Sequence, residues 1–318
     1  EELAVVARAR LRELGLALDG ARQVFPLGGA SSAGFAPPLQ EGLAMPRVVL
    51  ELEDRLVIEK PADWEVDQDG AALEKEIEDE DEGDLPQSSH RLQHRLSHFL
   101  GALVPGRRWP LVQSAVGGRS AFLHRLDVPG SGLVLAAKTY EAYYDLQAQL
   151  SAGDIARDYV VLCHGWMPPA LREINAHVYW KDGELPTSAG EQGKPSRTRL
   201  KVMAHLSCED VAVSLLAIRV ATGRRHQIRS HLSHAGHPTV ADGKYTGAST
   251  FHSDLSLCSR NFLHRYRLAF RSGLGCACEA LDPAPADLIF TLRKLKGRDH
   301  ESTGSLHLWL LGHGPQNW

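Results

Sequence analysis

The sequence predicts an α+β fold, a mixed and mainly antiparallel sheet with peripheral helices. Three observations predict it. Strand-like runs dominate between residues 47 and 296, several are joined by short polar breaks that read as hairpins, and helical periodicity recurs only in separate segments between them. No Gly-rich dinucleotide or P-loop fingerprint is present.

The chain has 318 residues, 43% of them hydrophobic, enough for one large domain or two smaller ones. No apolar run reaches the length of a membrane span. Five cysteines, odd in number and without a C-x-x-C pair, point to free thiols and an intracellular, reducing compartment. Cys276-Ala277-Cys278 lacks the second ligand pair that a metal site needs. The first residue is Glu1 rather than Met, as in a fragment or processed form. The formal net charge of −4 hides an uneven distribution. Residues 74–84 hold eight acids and one Lys, and the remainder carries 34 bases against 31 acids. Bases cluster at Arg107-Arg108, at Arg224, Arg225 and Arg229, and at Arg265 and Arg267, and such local patches suit phosphates.

The elements follow in order. Residues 2–16 have helical spacing, and residues 18–46 are a Gly/Ala/Pro/Ser-rich linker, so 1–46 is read as a non-catalytic N-terminal segment. Val48–Leu52 and Leu56–Lys60 form a hairpin that Pro61 ends. Residues 69–90 are a polar, acidic insertion, and 90–103 have helical spacing. Ala121–Leu123 and Leu133–Lys138 are apolar runs on either side of a Pro-Gly turn. Thr139 caps a helix over 140–151 that Gly153 follows. Asp158–Cys163 is a strand, 181–197 a polar loop, and Val211–Val220 a strand broken at Thr222-Gly223. A helix runs from about Arg225 to Ala235 and stops at Gly236 and Pro238. Asn261–His264 is a short strand ahead of Leu268–Phe270, and Leu288–Leu295 is a last helix. The domain thus runs over 47–296, and 297–318 is a tail without clear pattern.

Chemistry concentrates in three places. Asp127, in His124-Arg125-Leu126-Asp127-Val128-Pro129-Gly130-Ser131-Gly132, sits beside a turn with Arg125 and His124 as neighbours. A carboxylate so placed can serve as nucleophile or base, and equally can cap a turn. Arg125 can be its charge partner or a phosphate contact. Tyr159 opens a strand, where it can be core or can stack on a base and move a proton. The densest string runs from Thr222 to Pro238. There a strand breaks at Gly223 into a helix start carrying Arg224, Arg225 and His226, which favours anions. Ile228, Leu232 and Ala235 form its buried stripe, and Arg229 lies off that stripe. His226, His231, His234 and His237 can be surface residues or metal ligands, but His226 and His231 lie about 140° apart around a helix and no metal is expected.

Five segments together resemble the RluA-type pseudouridine synthases in content and order. The Asp127 loop resembles their HRLDxx(T/S)SG motif. Arg157–Gly165 resembles their second motif, built around a Tyr. Thr222–Pro238 resembles TGRxHQIRxHxxxxGHP nearly residue for residue, and Asp242 and Tyr245 resemble the Asp and Tyr of the GDxxY that follows. Phe262-Leu263-His264 resembles the family's LHA element, and Leu56–Ala62 its first hairpin. Val128-Pro129-Gly130 departs from the usual charged residue, variable residue and Thr. Arg225 replaces a small residue, and Glu59 and Asp63 replace Asn and Gly. No S4-type RNA-binding domain is recognisable before residue 47.

The resemblance implies the pseudouridine synthase fold and the isomerisation of uridine to pseudouridine in ribosomal or transfer RNA, without a cofactor. It implies Asp127, Tyr159 and Arg229 as catalytic residues. Arg125, Arg224, Arg225, His226, Gln227 and Leu263 are expected to bind substrate RNA, Leu263 by packing against a flipped base. A monomer that touches no membrane is expected. An RNA-binding pseudoenzyme and a His-metal hydrolase are the alternatives.

Overall fold

A computed structural model describes residues 44–66, 95–103, 109, 111, 121–180 and 188–314. Backbone contacts divide the chain into Glu1–Leu39 and Gln40–Trp318, and every described residue belongs to the second unit. The expectations for the N-terminal helix, most of the linker, the acidic insertion, Arg107-Arg108 and residues 90–94 lie outside the described residues.

In chain order the described elements are β1 (Arg47–Glu51), β2 (Arg55–Lys60), α1 (Leu96–Leu103), β3 (Ser131–Ala137), α2 (Tyr140–Ala152), β4 (Ala156–His164), β5 (Glu173–Tyr179) and β6 (Ser188–Gly190). Then follow β7 (Lys194–Cys208), β8 (Val211–Val220), α3 (Gln227–His234), α4 (Ala248–Leu257), β9 (Leu263–Arg271), β10 (Ala277–Leu281), α5 (Ala286–Arg293), β11 (Lys296–Gly297) and α6 (His300–Leu310). The strands form one sheet in the order β1-β2-β3-β9-β4-β8-β7-β5-β6, with β10 on β9 and β11 on β7. Among the described strands only β3 and β9 pair in parallel, through Ser131–His264 and Gly132–Arg265. The sheet is therefore mixed and mainly antiparallel, as the sequence predicts.

β4 shows why the sheet needs helices on both faces. Tyr159, Val161 and Cys163 point into one core, with Leu216, Ile218, Ile228 and Leu232. Val160 and Leu162 point into a second, with Leu206, Leu215, Leu288, Leu292, Leu306 and Trp309. A continuous apolar run buried on both faces is the sequence form of such a central strand. α2 is held as its sequence indicates, with Thr139 Oγ1 accepting the Ala142 N–H at 3.2 Å and Gly153 closing its end.

Three local readings are corrected, and α4 and β5 are elements the sequence did not indicate. Residues 181–197 are not wholly loop, because β6 and the start of β7 fall in them. Gly193, at φ 106°, lies against the backbone of Val178 and Tyr179, where a Cβ would collide. Pro195 is tolerated because β7 pairs with β8 only from Thr198 on. Residues 300–310 form α6 rather than a patternless tail, capped by Asp299, which accepts the Ser302 N–H at 2.7 Å, and anchored by buried Leu306 and Trp309. α4 and β5 carry little apolar periodicity and are held by tertiary partners. In α4, Asp254 accepts from the Ala241 N–H at 2.8 Å and pairs with His164 Nε2 at 2.9 Å. The helix expected from Arg225 begins at Gln227, because His226 adopts a left-handed conformation with φ 49°.

Candidate active site

Asp127 lies where the sheet is nearly split. Ala121–Leu123 run beside the end of β3, with Leu123 N–H donating to Leu135 O at 3.3 Å and Ala137 N–H to Ala121 O at 2.9 Å. The chain then turns through 124–130 and enters β3 at Ser131. Gly132, at φ 117°, lies directly on the backbone of Arg265, and a Cβ there would overlap that residue's carbonyl oxygen. The short β3–β9 contact thus depends on glycine, and Leu263 and Arg265 of β9 help line an open cleft beside Asp127.

The carboxylate of Asp127 is 12% exposed and accepts from Arg229 Nη1 at 3.3 Å. Arg229 is held more tightly from behind. Its Nε and Nη2 donate to Asp242 at 2.7 and 2.6 Å, and its guanidinium lies 5.0 Å over the Tyr245 ring. Asp242 also accepts from Thr239 Oγ1 at 2.8 Å and the Lys244 N–H at 3.2 Å. Burial alone would push the Arg229 pKa down, but Asp242, joined by Asp127, outweighs burial and holds it above its ordinary value. Burial would likewise raise Asp242, and its bonds to Arg229 hold it below the usual carboxylate range. Arg229 is therefore a fixed cation presented to Asp127.

Tyr159 is 5% exposed and forms part of the cleft floor. Its hydroxyl accepts from Arg265 Nη2, and the Arg265 guanidinium lies 4.8 Å from its ring centre. Arg265 is itself buried, and its Nη1 donates to His124 Nδ1 at 2.9 Å and Leu133 O at 2.8 Å. Burial, and then Arg265 and Arg157, hold His124 well below its ordinary pKa, so it is a neutral acceptor. Arg157 ties the site to the end of β8 through Ala221 O at 2.8 Å, and burial lowers it to about 10, which leaves it charged at neutral pH.

Of the nine residues named from sequence, Arg125, Asp127, Tyr159, Arg224, His226, Gln227 and Leu263 line the cleft. Arg229 sits behind Asp127, and Arg225 does not line it. Arg125 is exposed and makes no ion pair among the described residues, so Arg229, not Arg125, is the charge partner of Asp127. The Gln227 amide is spent inside the fold. Its Nε2 donates to Arg197 O and Thr198 Oγ1, each at 3.1 Å, and its Oε1 accepts from Thr222 Oγ1 at 2.7 Å and the Arg224 N–H at 3.1 Å. It shapes the 222–224 loop that presents Arg224. His226 pairs through Nδ1 with the Tyr245 hydroxyl at 3.0 Å, and burial lowers its pKa to about 4.

The histidines of 226–237 turn to separate partners. His231 Nε2 lies 3.2 Å from Ala176 O, and His237 Nδ1 lies 2.8 Å from His164 O. Among the described residues no group of three or more His, Cys, Asp or Glu is placed to hold a metal ion. The five cysteines are free, and no described helix is long and apolar enough to cross a membrane.

Sequence reasoning noted His124 beside Asp127, Arg265 in a basic cluster and Arg157 at the start of a motif, but gave none of them a place in the site. It also missed Lys60, whose Nζ is buried against Pro61 O and Trp64 O, each at 2.8 Å, and Val128 O at 3.2 Å. The one available signal was Lys60 standing between a buried strand and Pro61. Four guanidinium groups among the lining residues (Arg125, Arg157, Arg224, Arg265) against the single carboxylate of Asp127 make the cleft a place for a polyanion.

A family model described as RNA pseudouridylate synthase matches residues 54–234, which include Asp127, Tyr159 and Arg229. The ribosomal large subunit pseudouridine synthase C of Haemophilus influenzae is 34% identical over 153 residues, 46% of this chain and 46% of that one. Its namesake in Escherichia coli K12 is 32% identical over 182 residues, 55% and 56% of the two chains. An uncharacterized RNA pseudouridine synthase of Chloroflexus aurantiacus is 35% identical over 207 residues, 63% and 62% of the two chains. The chain spans about half the length of the curated relatives it matches first. Among solved structures, human RNA pseudouridylate synthase domain containing 1 superposes with a TM-score of 0.56 at 22% identity, over 78% of this chain and 87% of that one. Human RNA pseudouridylate synthase domain containing 4 gives 0.50 at 15% identity, over 78% and 93%. At these identities the two structures speak to the fold alone.

Proposed function

The chain belongs to the RNA pseudouridylate synthase family, and from that premise we propose that it isomerises uridines in RNA to pseudouridine with Asp127 as its nucleophile. The observation that carries the reading is the pair Asp127–Arg229. A partly exposed carboxylate at the bottom of a cationic cleft is oriented by a guanidinium that Asp242 immobilises.

The reaction breaks the bond between N1 and C1′, rotates the uracil, and joins C5 to C1′. C5 loses a proton and N1 gains one, so atoms and electrons balance without an oxidant, a reductant or a cofactor. Asp127 either attacks C1′ and displaces uracil, or takes the C2′ proton so that uracil leaves and a glycal forms. Arg229 favours the ionised carboxylate on both routes. Tyr159 supplies a ring against which uracil stacks and a hydroxyl that assists proton movement. Leu263, on the cleft wall, packs against the base.

A uridine inside folded RNA reaches this floor only when flipped out of its stack. The exposed Arg125 at the cleft is placed to occupy the space it leaves. Arg224 holds phosphates near the cleft, with Arg225 beyond it. The relatives' names favour ribosomal RNA as the first substrate to test, with transfer RNA next. We further read residues 47–296 as the catalytic unit.

The test is pseudouridine-specific mapping of ribosomal and transfer RNA incubated with the wild-type protein or with Asp127→Ala. Signal at discrete uridines with the wild type alone supports the activity and identifies the substrate. RNA binding without product from either protein overturns it in favour of an RNA-binding protein without catalysis.

A further inference from the structure

The turn that follows Asp127 has no polar side chain of its own until Ser131, because residues 128–130 are Val, Pro and Gly. Its backbone is nonetheless held at three groups. The Gly130 N–H donates to Asp127 O at 3.0 Å, and Val128 O accepts from the Asp63 N–H at 2.8 Å and from Lys60 Nζ at 3.2 Å. Pro129 O accepts from Arg260 Nη1 at 3.2 Å, and Arg260 Nη2 reaches Ser131 Oγ at 3.0 Å.

Arg260 belongs to no helix or strand and lies between α4 and β9. Its side chain is 12% exposed. The other edge of its guanidinium is fixed by Asp287 in the first turn of α5, with Nε at 2.5 Å from Oδ2 and Nη2 at 3.3 Å from Oδ1. All three of its nitrogens are thus committed inside the protein, which leaves it poorly suited to a phosphate. The Ser131 hydroxyl passes the contact on to His264 Nδ1 at 3.0 Å, and His264 Nε2 donates to Asp282 O at 3.0 Å. Burial lowers His264 to about 4, so it is neutral and takes the Ser131 proton as an acceptor.

We propose that Arg260, anchored by Asp287, is a positioning residue that sets the place of Asp127 in the cleft. It supplies from outside the polar contacts at Pro129 O and Ser131 Oγ, beside those that Lys60 and Asp63 make to Val128 O. The proposal rests on the reading of Asp127 as the nucleophile. A carboxylate that must meet a sugar carbon or its proton tolerates little displacement, and a shift of about 1 Å can cost roughly 100-fold in rate.

The experiment compares full-length wild type, Arg260→Ala, Arg260→Lys, Asp287→Ala and the double variant Arg260→Ala/Asp287→Ala. Single-turnover rates are read at saturating RNA, beside RNA affinity and thermal melting. Arg260→Ala is expected to lose roughly 10- to 100-fold in rate while RNA affinity stays within about twofold. Guanidinium ion at low concentration restores part of that rate, and ammonium ion does not. Asp287→Ala shows a smaller loss, and no further loss when added to Arg260→Ala. Arg260→Lys keeps the charge and the buried stem, so it melts as the wild type does and still loses rate.

A rate for Arg260→Lys and Arg260→Ala within about twofold of wild type overturns the proposal, as does a loss of RNA affinity that accounts for the whole rate loss. Amide exchange at Gly130 gives a readout independent of turnover, with faster exchange in Arg260→Ala expected and unchanged exchange overturning the clamp. Should the wild type itself turn over no RNA, the reading of Asp127 fails, and the Gly130 amide still decides whether Arg260 orders the turn.

Discussion

Arg229 bridges two carboxylates unequally, and substituting each of them should separate stability from activity. Asp242 is 2% exposed and accepts two short bonds from Arg229, one from Thr239 and one from the Lys244 N–H. Asp127 is 12% exposed and accepts a single 3.3 Å bond. Asp242→Asn keeps the volume but leaves a buried guanidinium without its main counter-charge, a change that costs about 3–5 kcal/mol. Asp127→Asn forfeits one long bond at a partly wetted group, worth about 1 kcal/mol. Urea unfolding followed by tryptophan fluorescence, with an unchanged slope, measures both. Asp242→Asn should lower stability by at least about 2 kcal/mol more than Asp127→Asn. Turnover should rank the other way, with Asp127→Asn inactive and Asp242→Asn impaired.

The same pair sets a pH dependence. The pKa of Asp242 is held below its unfolded value of about 4, so its contribution is complete above that pH and is lost as pH falls through the lower folded value. Asp242→Asn should remove that part of the acid transition. The double variant should cost less than the two single changes added together, because both act on Arg229. Equal destabilisation by the two single variants, or a larger loss from Asp127→Asn, would refute the view that Arg229 is anchored by Asp242 and only touches Asp127.

Three further outcomes follow from the geometry. Tyr159→Phe keeps the ring but removes the hydroxyl that meets Arg265, so single-turnover rates should fall by about 100-fold or more while filter binding shows unchanged RNA affinity. Gly132→Ala forces a Cβ onto the Arg265 backbone at a left-handed φ and should cost about 2–5 kcal/mol in urea unfolding. Lys60, lowered to about 7 chiefly by burial and then by Arg260, binds its proton less readily folded than unfolded. Its penalty is present below pH 7 and is relieved as pH rises toward its unfolded value of about 10.4, so wild-type stability should gain on Lys60→Met across that window in pH-dependent unfolding.

The parts of the site legible in sequence are those whose signals are local. Asp127 stands between apolar runs at a Pro-Gly turn, and the Thr222–Pro238 string breaks a strand into a helix. What stayed hidden is buried charge supplied from a distance. Arg265 and Arg267 alternate with apolar residues, and period-2 reasoning places both on one face of a strand. In the structure β9 carries an extra residue between its pairings Asp158–Arg267 and Val160–His264. That irregularity sends Arg265 into the cleft and Arg267 to Asp158, at 2.8 Å, on the other face. Arg260 has no periodic context at all, and only the tertiary fold brings it to the Asp127 turn. The fold class was readable because central strands such as β3 and β4 are continuous apolar runs. α4, β5 and α6 were not, because a few buried anchors, rather than an apolar stripe, hold them in place.

The two-residue seam between β3 and β9 has a consequence for synthesis. Ser131 meets His264 133 residues further along the chain, and Arg265 closes the floor one residue later. At about 5–20 residues per second, a ribosome needs roughly 7–27 s to travel from one to the other. For most of that interval the Asp127 turn lacks Arg229 and Asp242, and Arg265 is absent for all of it. A nascent chain halted before β9 therefore carries Asp127 without the strand that brings Leu263 and Arg265 to the cleft.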